Sequence, residues 1–62
     1  MKIEHLIVIN GSILMVYRTN EGDYQYEIIL WNGTLYQPDE LYVKPDRALA
    51  IGLEMIEVVF GY

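Results

Sequence analysis

The chain reads as an α+β domain, an antiparallel β-meander of three to four strands followed by one C-terminal helix packed on one sheet face. Three observations predict this. Apolar runs of strand length are separated by Asn-Gly and Asn-Glu-Gly-Asp turn signals. Apolar residues recur at alternate positions within those runs. From Pro45 onward the composition changes to helix formers and apolar residues, with Gly52 the one weak point before Gly61.

The elements follow in order. Asn10-Gly11, within LIVINGSILMV, is the signature of a two-residue type I′ turn and predicts strands over about 3–9 and 12–19. Asn20-Glu21-Gly22-Asp23 is a polar loop of turn formers and leads to a third strand over about 24–31. Asn32-Gly33 predicts a second two-residue turn and a fourth strand from Thr34. Pro38 and Asp39 interrupt that strand, since proline cannot donate to a ladder and belongs at an edge; Glu40 to Val43 resume it. Pro45 suits a first helical turn, Asp46 complements the positive end of the helix dipole, and the helix runs from Asp46 to about Phe60. The whole chain, 1–62, is one β-β-β-(β)-α domain.

These turns imply a register. Val8 faces Ile13 and Leu6 faces Met15; a four-residue loop at 20–23 sets Met15 opposite Ile28; the second turn sets Leu30 opposite Leu35. One face then collects Leu6, Val8, Ile13, Met15, Tyr17, Tyr24, Tyr26, Ile28, Leu30 and Leu35, and the helix is expected to cover it. The other face should be polar. It instead carries a row of Ile7, Leu14, Ile29 and Tyr36, with Trp31 and Ile9 beside it and His5 and Glu27 further along. Exposed apolar rows mark interaction surfaces, unless a strongly bent sheet buries both faces itself.

The helix repeats the excess. Asp46, Arg47, Ala50, Glu54 and Glu57 gather in a sector of about 100°, leaving an apolar arc of about 220° where a surface helix needs little more than 100°. Ala48 and Gly52, one turn apart, permit close backbone approach. That approach serves either the chain's own sheet or a helix crossing in a dimer. The candidate interface is therefore Ile7, Leu14, Ile29, Trp31, Tyr36, Ala48, Gly52 and Met55.

Composition restricts function. With 62 residues the buried core is small, and such domains gain support from disulfides, metals or oligomerisation. There is no cysteine and one histidine, His5, so oligomerisation is the remaining route, and a homodimer or other protein partner is expected. A net charge of −5 disfavours nucleic acid and anionic membrane as partners. No run is long enough to span a bilayer, and MKIEHLIVIN lacks a signal peptide's apolar core and cleavage site, which points to the cytoplasm. Both Asn-Gly sites read N-x-S/T, but without a secretory signal they are read as turns.

Catalytic chemistry finds few candidates. Ser12 has no predicted base beside it. His5 and Glu27 share a face in this register and could couple as acid and base, though a rim ion pair is the simpler account. Asp39, Glu40 and Asp46 lack calcium-loop spacing, and no nucleotide-binding or metalloprotease motif is present. No catalytic, cofactor or metal site is assigned. The expected function is a non-enzymatic protein-interaction module. The alternative is an acidic inhibitor that mimics nucleic acid or blocks a basic site on a nuclease-type effector. That alternative requires Glu21, Asp23, Asp39, Glu40, Glu54 and Glu57 to cluster.

The residues Tyr26-Glu27-Ile28, Asn32-Gly33, Asp39-Glu40, Tyr42, Ala48, Gly52 and Ile56 lie in the run from Tyr24 to Glu57. In that order they resemble a pattern of short uncharacterised proteins common in cyanobacteria. The resemblance implies a sheet-plus-helix fold and no known activity. The layout is also similar to the arm-binding domains of tyrosine recombinases. Those grip DNA with basic strands, which this acidic chain lacks, so that function is not carried over.

Overall fold

The computed structural model describes residues 2–61. Four strands, β1 (Lys2–Ile9), β2 (Ser12–Arg18), β3 (Tyr24–Ile29) and β4 (Leu35–Tyr36), form one antiparallel sheet in the order β1-β2-β3-β4. The helix α1 (Pro45–Glu54) packs on one face, against β2 and β3, and continues as a π-helical turn over Met55–Val59.

The first hairpin has the expected register, with Leu6 opposite Met15 and Val8 opposite Ile13. Asn10 and Gly11 both take positive φ, at 49° and 83°, as a type I′ turn demands. Near the start of β1 a bulge between Ile3 and His5 breaks the alternation.

The next two connections depart from expectation by one residue each. Between β2 and β3, Thr19 N–H donates to the Asp23 carbonyl (2.8 Å) and Gly22 N–H donates to the Thr19 carbonyl (3.1 Å). The loop is therefore Asn20-Glu21-Gly22, three residues, with Gly22 at φ 92° as the left-handed closing residue. Between β3 and β4 the pattern repeats: Leu30 N–H donates to the Thr34 carbonyl and Gly33 N–H to the Leu30 carbonyl, both at 2.8 Å. Gly33 closes this loop at φ 88° while Asn32 stays out of the left-handed region. Instead, the Asn32 side-chain Oδ1 accepts from Thr34 N–H (3.1 Å), an Asx turn that replaces the expected type I′ geometry.

A one-residue slip turns every side chain to the opposite face. Leu14 pairs with Ile28, Met15 with Glu27, and Val16 with Tyr26; Ile28 then pairs with Tyr36, and Ile29 with Leu35. This corrects the expected assignment of faces. The helix covers Leu14, Val16, Tyr26 and Ile28, all buried, with Ile9, Tyr24, Tyr36 and Tyr42 packed around them. The face of Leu6, Val8, Ile13 and Met15 is the open one.

Ala48, Gly52 and Ile56, spaced four apart, are the buried stripe of the helix. The helix lies so close to the sheet at Gly52 that a Cβ there would stand 2.6 Å from Leu14 Cδ1 and 3.3 Å from Tyr26 Cδ1. The small residues thus serve the chain's own sheet and are not available for a helix crossing. Asp46, Arg47, Ala50, Glu54 and Glu57 are exposed, as their sector predicts. The edge strand past Pro38 returns only at one isolated bridge, where Tyr24 and Tyr42 exchange both backbone hydrogen bonds at 2.8 Å. Tyr26 stacks obliquely between Tyr36 (6.3 Å between centroids) and Tyr42 (6.2 Å), and Phe60 meets Tyr36 edge-on at 5.5 Å.

Candidate interaction surface

Alternation in β1, β2 and β3 places apolar side chains on both faces, and a single helix covers only one. The uncovered face carries Ile3, Leu6 and Val8 from β1, Ile13, Met15 and Tyr17 from β2, Ile29 from β3 and Leu35 from β4. Five of these, Ile3, Leu6, Val8, Ile29 and Leu35, are 42–67% exposed, and the β2 residues between them are half-buried. The surface is continuous across four strands, because each exposed side chain has an apolar cross-strand neighbour in β2 or β3.

Two polar side chains of β3, Gln25 and Glu27, interrupt it. Glu27 lies opposite Met15; its Oε1 accepts from the Tyr17 hydroxyl and from Gln37 Nε2, both at 3.1 Å. Tyr17 Oη also lies 3.2 Å from Gln25 Oε1. Burial first, then the hydrogen bond to Glu27 and its negative charge, push the Tyr17 hydroxyl above the ordinary tyrosine range and keep it a donor.

Of the residues expected at an interface, Leu14, Ala48 and Gly52 are buried in the core. Ile7, Tyr36 and Met55 are half-buried, with Tyr36 packed on Tyr26 and Phe60. Ile29 is exposed on the open face, and Trp31 is 67% exposed on the β3–β4 loop. The expected row of Ile7, Leu14, Ile29 and Tyr36 is not formed: Ile29 stands on the face opposite the other three.

The chemical candidates separate in the same way. His5 pairs with Val16 on the helix-covered face, where its Nε2 lies 3.8 Å from Asp46 Oδ1, while Glu27 is on the open face. They cannot act as one acid-base pair. Ser12 is fully buried, and its Oγ accepts from Trp31 N–H (3.1 Å), tying the first turn to the third connection. Of the acidic residues required to cluster, Glu21 lies in the β2–β3 loop and Asp23 just after it, beside Tyr24 and its bridge partner Tyr42; Glu40 is at the same end, its Oε2 accepting from the Tyr42 hydroxyl (3.2 Å), with Asp39 next to it in the chain. Glu54 and Glu57 lie on the helical segment more than two turns past its start at Pro45. No group of three or more His, Cys, Asp or Glu residues suited to a metal ion occurs among the described residues.

A groove of about 460 Å³ with side chains of both charges lies at the β2–β3 loop end, lined by Tyr17, Arg18, Thr19, Glu21, Asp23 and Leu41 among others. No helix among the described residues is long and apolar enough to cross a membrane. The chain matches no family model, no curated protein and no solved structure.

Proposed function

We propose that this chain is a non-enzymatic protein-interaction module that works as a homodimer, two copies stacking their open sheet faces. One observation carries this: an apolar face that spans all four strands and that the helix does not reach. Solvated antiparallel faces are ordinarily polar, and a contiguous apolar patch marks a contact site. The exposures of Ile3, Leu6, Val8, Ile29 and Leu35 amount to roughly 500 Å² of surface, at about 180 Å² for a fully exposed aliphatic residue. Two copies in contact would bury about 1,000 Å² from these residues alone, the lower bound for a specific interface. The half-buried Ile13, Met15 and Tyr17 add to it. Sheets stacked about 10 Å apart would interdigitate these side chains as a sandwich core does.

Charge placement supports a second copy as the occupant. Glu21, Asp23, Asp46, Glu54 and Glu57 lie on loops and on the exposed side of the helix, so the repulsion between these groups of two acidic chains falls outside the contact, and Glu27 is the carboxylate that β2, β3 and β4 leave within it. The absence of catalysis is supported by the separation of His5 from Glu27 and by the use of the Ser12 hydroxyl in holding Trp31.

Sedimentation equilibrium at low micromolar concentration tests the reading. A dimer is expected, and Leu6→Asp with Leu35→Asp should give a monomer whose far-ultraviolet circular dichroism is unchanged. A wild-type chain that stays monomeric to about 100 μM, well weaker than a specific dimer of this area, overturns it. So does a dimer indifferent to both substitutions.

A further inference from the structure

We infer that self-association of this module is proton-linked through Glu27, weakening as pH rises. The inference rests on the stacked homodimer proposed above and concerns how the same surface is regulated.

Glu27 is the one charged residue that β2, β3 or β4 presents on the open face, and it sits between Gln25 and Ile29 along its strand. Two donors pin its Oε1 there: the Tyr17 hydroxyl from β2 and Gln37 Nε2 from just beyond β4. The carboxylate is therefore held on the surface that the second copy would cover, instead of swinging clear at the rim. Tyr17 is its only titratable neighbour from the adjacent strands, and that hydroxyl stays neutral. Among the described residues no Lys, Arg or His lies within ion-pair distance of it. At the far end of β1, Lys2 and Glu4 lie 3.8 Å from each other.

A second copy brings the same face and so the same carboxylate; β2, β3 and β4 place no cation on it, and Lys2 of β1 already lies 3.8 Å from Glu4. Removing a carboxylate from water without a counter-charge favours its protonated form, and a like charge nearby favours it again. The stacked dimer accordingly holds more protons than two monomers. By linkage, each extra proton bound on association weakens the dimer about tenfold for each pH unit of rise within the linked range. If the two carboxyls share one proton, one such factor applies; if each takes its own, two apply.

The general fall in net charge on acidification also favours association, so a distant carboxylate serves as the control. Sedimentation is measured at about pH 5.5 and 7.5 on the full chain, on Glu27→Gln and on Glu54→Gln. The amide oxygen of Glu27→Gln can accept from Tyr17 as the carboxylate does, and an unchanged far-ultraviolet circular dichroism spectrum checks that the fold is preserved. Wild type and Glu54→Gln should weaken at least about tenfold between the two conditions, while Glu27→Gln should stay tight and change by less than about threefold. A wild-type dimer that changes by less than about threefold, or a Glu27→Gln dimer with the wild-type pH dependence, overturns the inference and leaves the homodimer standing. Monomers throughout, in wild type and Glu27→Gln alike, overturn both.

Discussion

Gly52→Ala should destabilise the protein, although the same substitution in an ordinary helix stabilises it. In a helix interior, alanine is favoured over glycine by about 1 kcal/mol. Here the new methyl would lie 2.6 Å from Leu14 Cδ1, 3.1 Å from Leu14 Cδ2 and 3.3 Å from Tyr26 Cδ1. Leu14 is wholly buried and Tyr26 nearly so, hence neither can turn into free space. Overpacking a filled core costs about 1–3 kcal/mol, and contacts this short place the variant in the upper part, about 2.5 kcal/mol. The net loss is about 1.5 kcal/mol, against a total stability of roughly 3–9 kcal/mol for a chain of this size. In a thermal melt at fixed chain concentration, that is a fall of about 6–12 °C. Ala50→Gly, on the exposed side of the same helix, calibrates the propensity term and should lose about 1 kcal/mol. Leu14→Val removes both Cδ atoms, so the double variant should be no less stable than Gly52→Ala alone, a coupling of about 1 kcal/mol or more. If Gly52→Ala melts at or above the wild-type temperature, the close approach of helix and sheet is not the constraint described.

Ser12→Ala removes the acceptor of Trp31 N–H and should cost about 1–2 kcal/mol by urea denaturation; a change under about 0.3 kcal/mol would mean that water replaces the hydroxyl freely. The three-residue β2–β3 loop predicts inter-strand nuclear Overhauser contacts between Met15 and Glu27, and Gly22→Ala, forced to hold φ near 92°, should lose about 1–2 kcal/mol; contacts of Met15 with Ile28 as its directly paired residue would refute the register. Burial is the largest cause raising the hydroxyls of Tyr17, Tyr26 and Tyr42 above their ordinary value of 10.0, so the native state holds protons that the unfolded chain releases. Stability from this source is complete below pH 10 and is lost as pH climbs beyond it. A urea midpoint that begins to fall there, less steeply in Tyr26→Phe, is expected; a midpoint flat to about pH 11 would contradict it.

Much of the fold could be read from local chemistry. The α+β order, the Asn10-Gly11 turn, the break at Pro38 and the start of the helix at Pro45 each follow from a backbone preference that needs no distant partner. The polar sector of the helix is equally local, because Asp46, Arg47, Ala50, Glu54 and Glu57 share a face by periodicity alone. That the sheet has too much apolar surface for one helix was also legible, since both faces of a strand appear in its alternation.

Which face the helix takes was decided elsewhere. It depends on whether each of two loops holds an odd or an even number of residues. An Asn-Gly pair does not settle that alone: Asn10-Gly11 forms the two-residue turn, whereas Asn32-Gly33 supplies the last two residues of a three-residue loop. The usable signal was the glycine in third place, in Asn20-Glu21-Gly22 and Trp31-Asn32-Gly33, which suits the left-handed closing position. With that register Gln25 and Glu27 join the Met15 face and leave Leu14, Val16, Tyr26 and Ile28 as the wholly apolar core. Sequence alone thus determined the elements, their order and the existence of a surplus apolar face. Only the tertiary structure decided that this face is the one of Leu6, Val8, Ile29 and Leu35, because one residue of register inverts every side chain and the close seat of Gly52 on Leu14 exists only once helix and sheet have met.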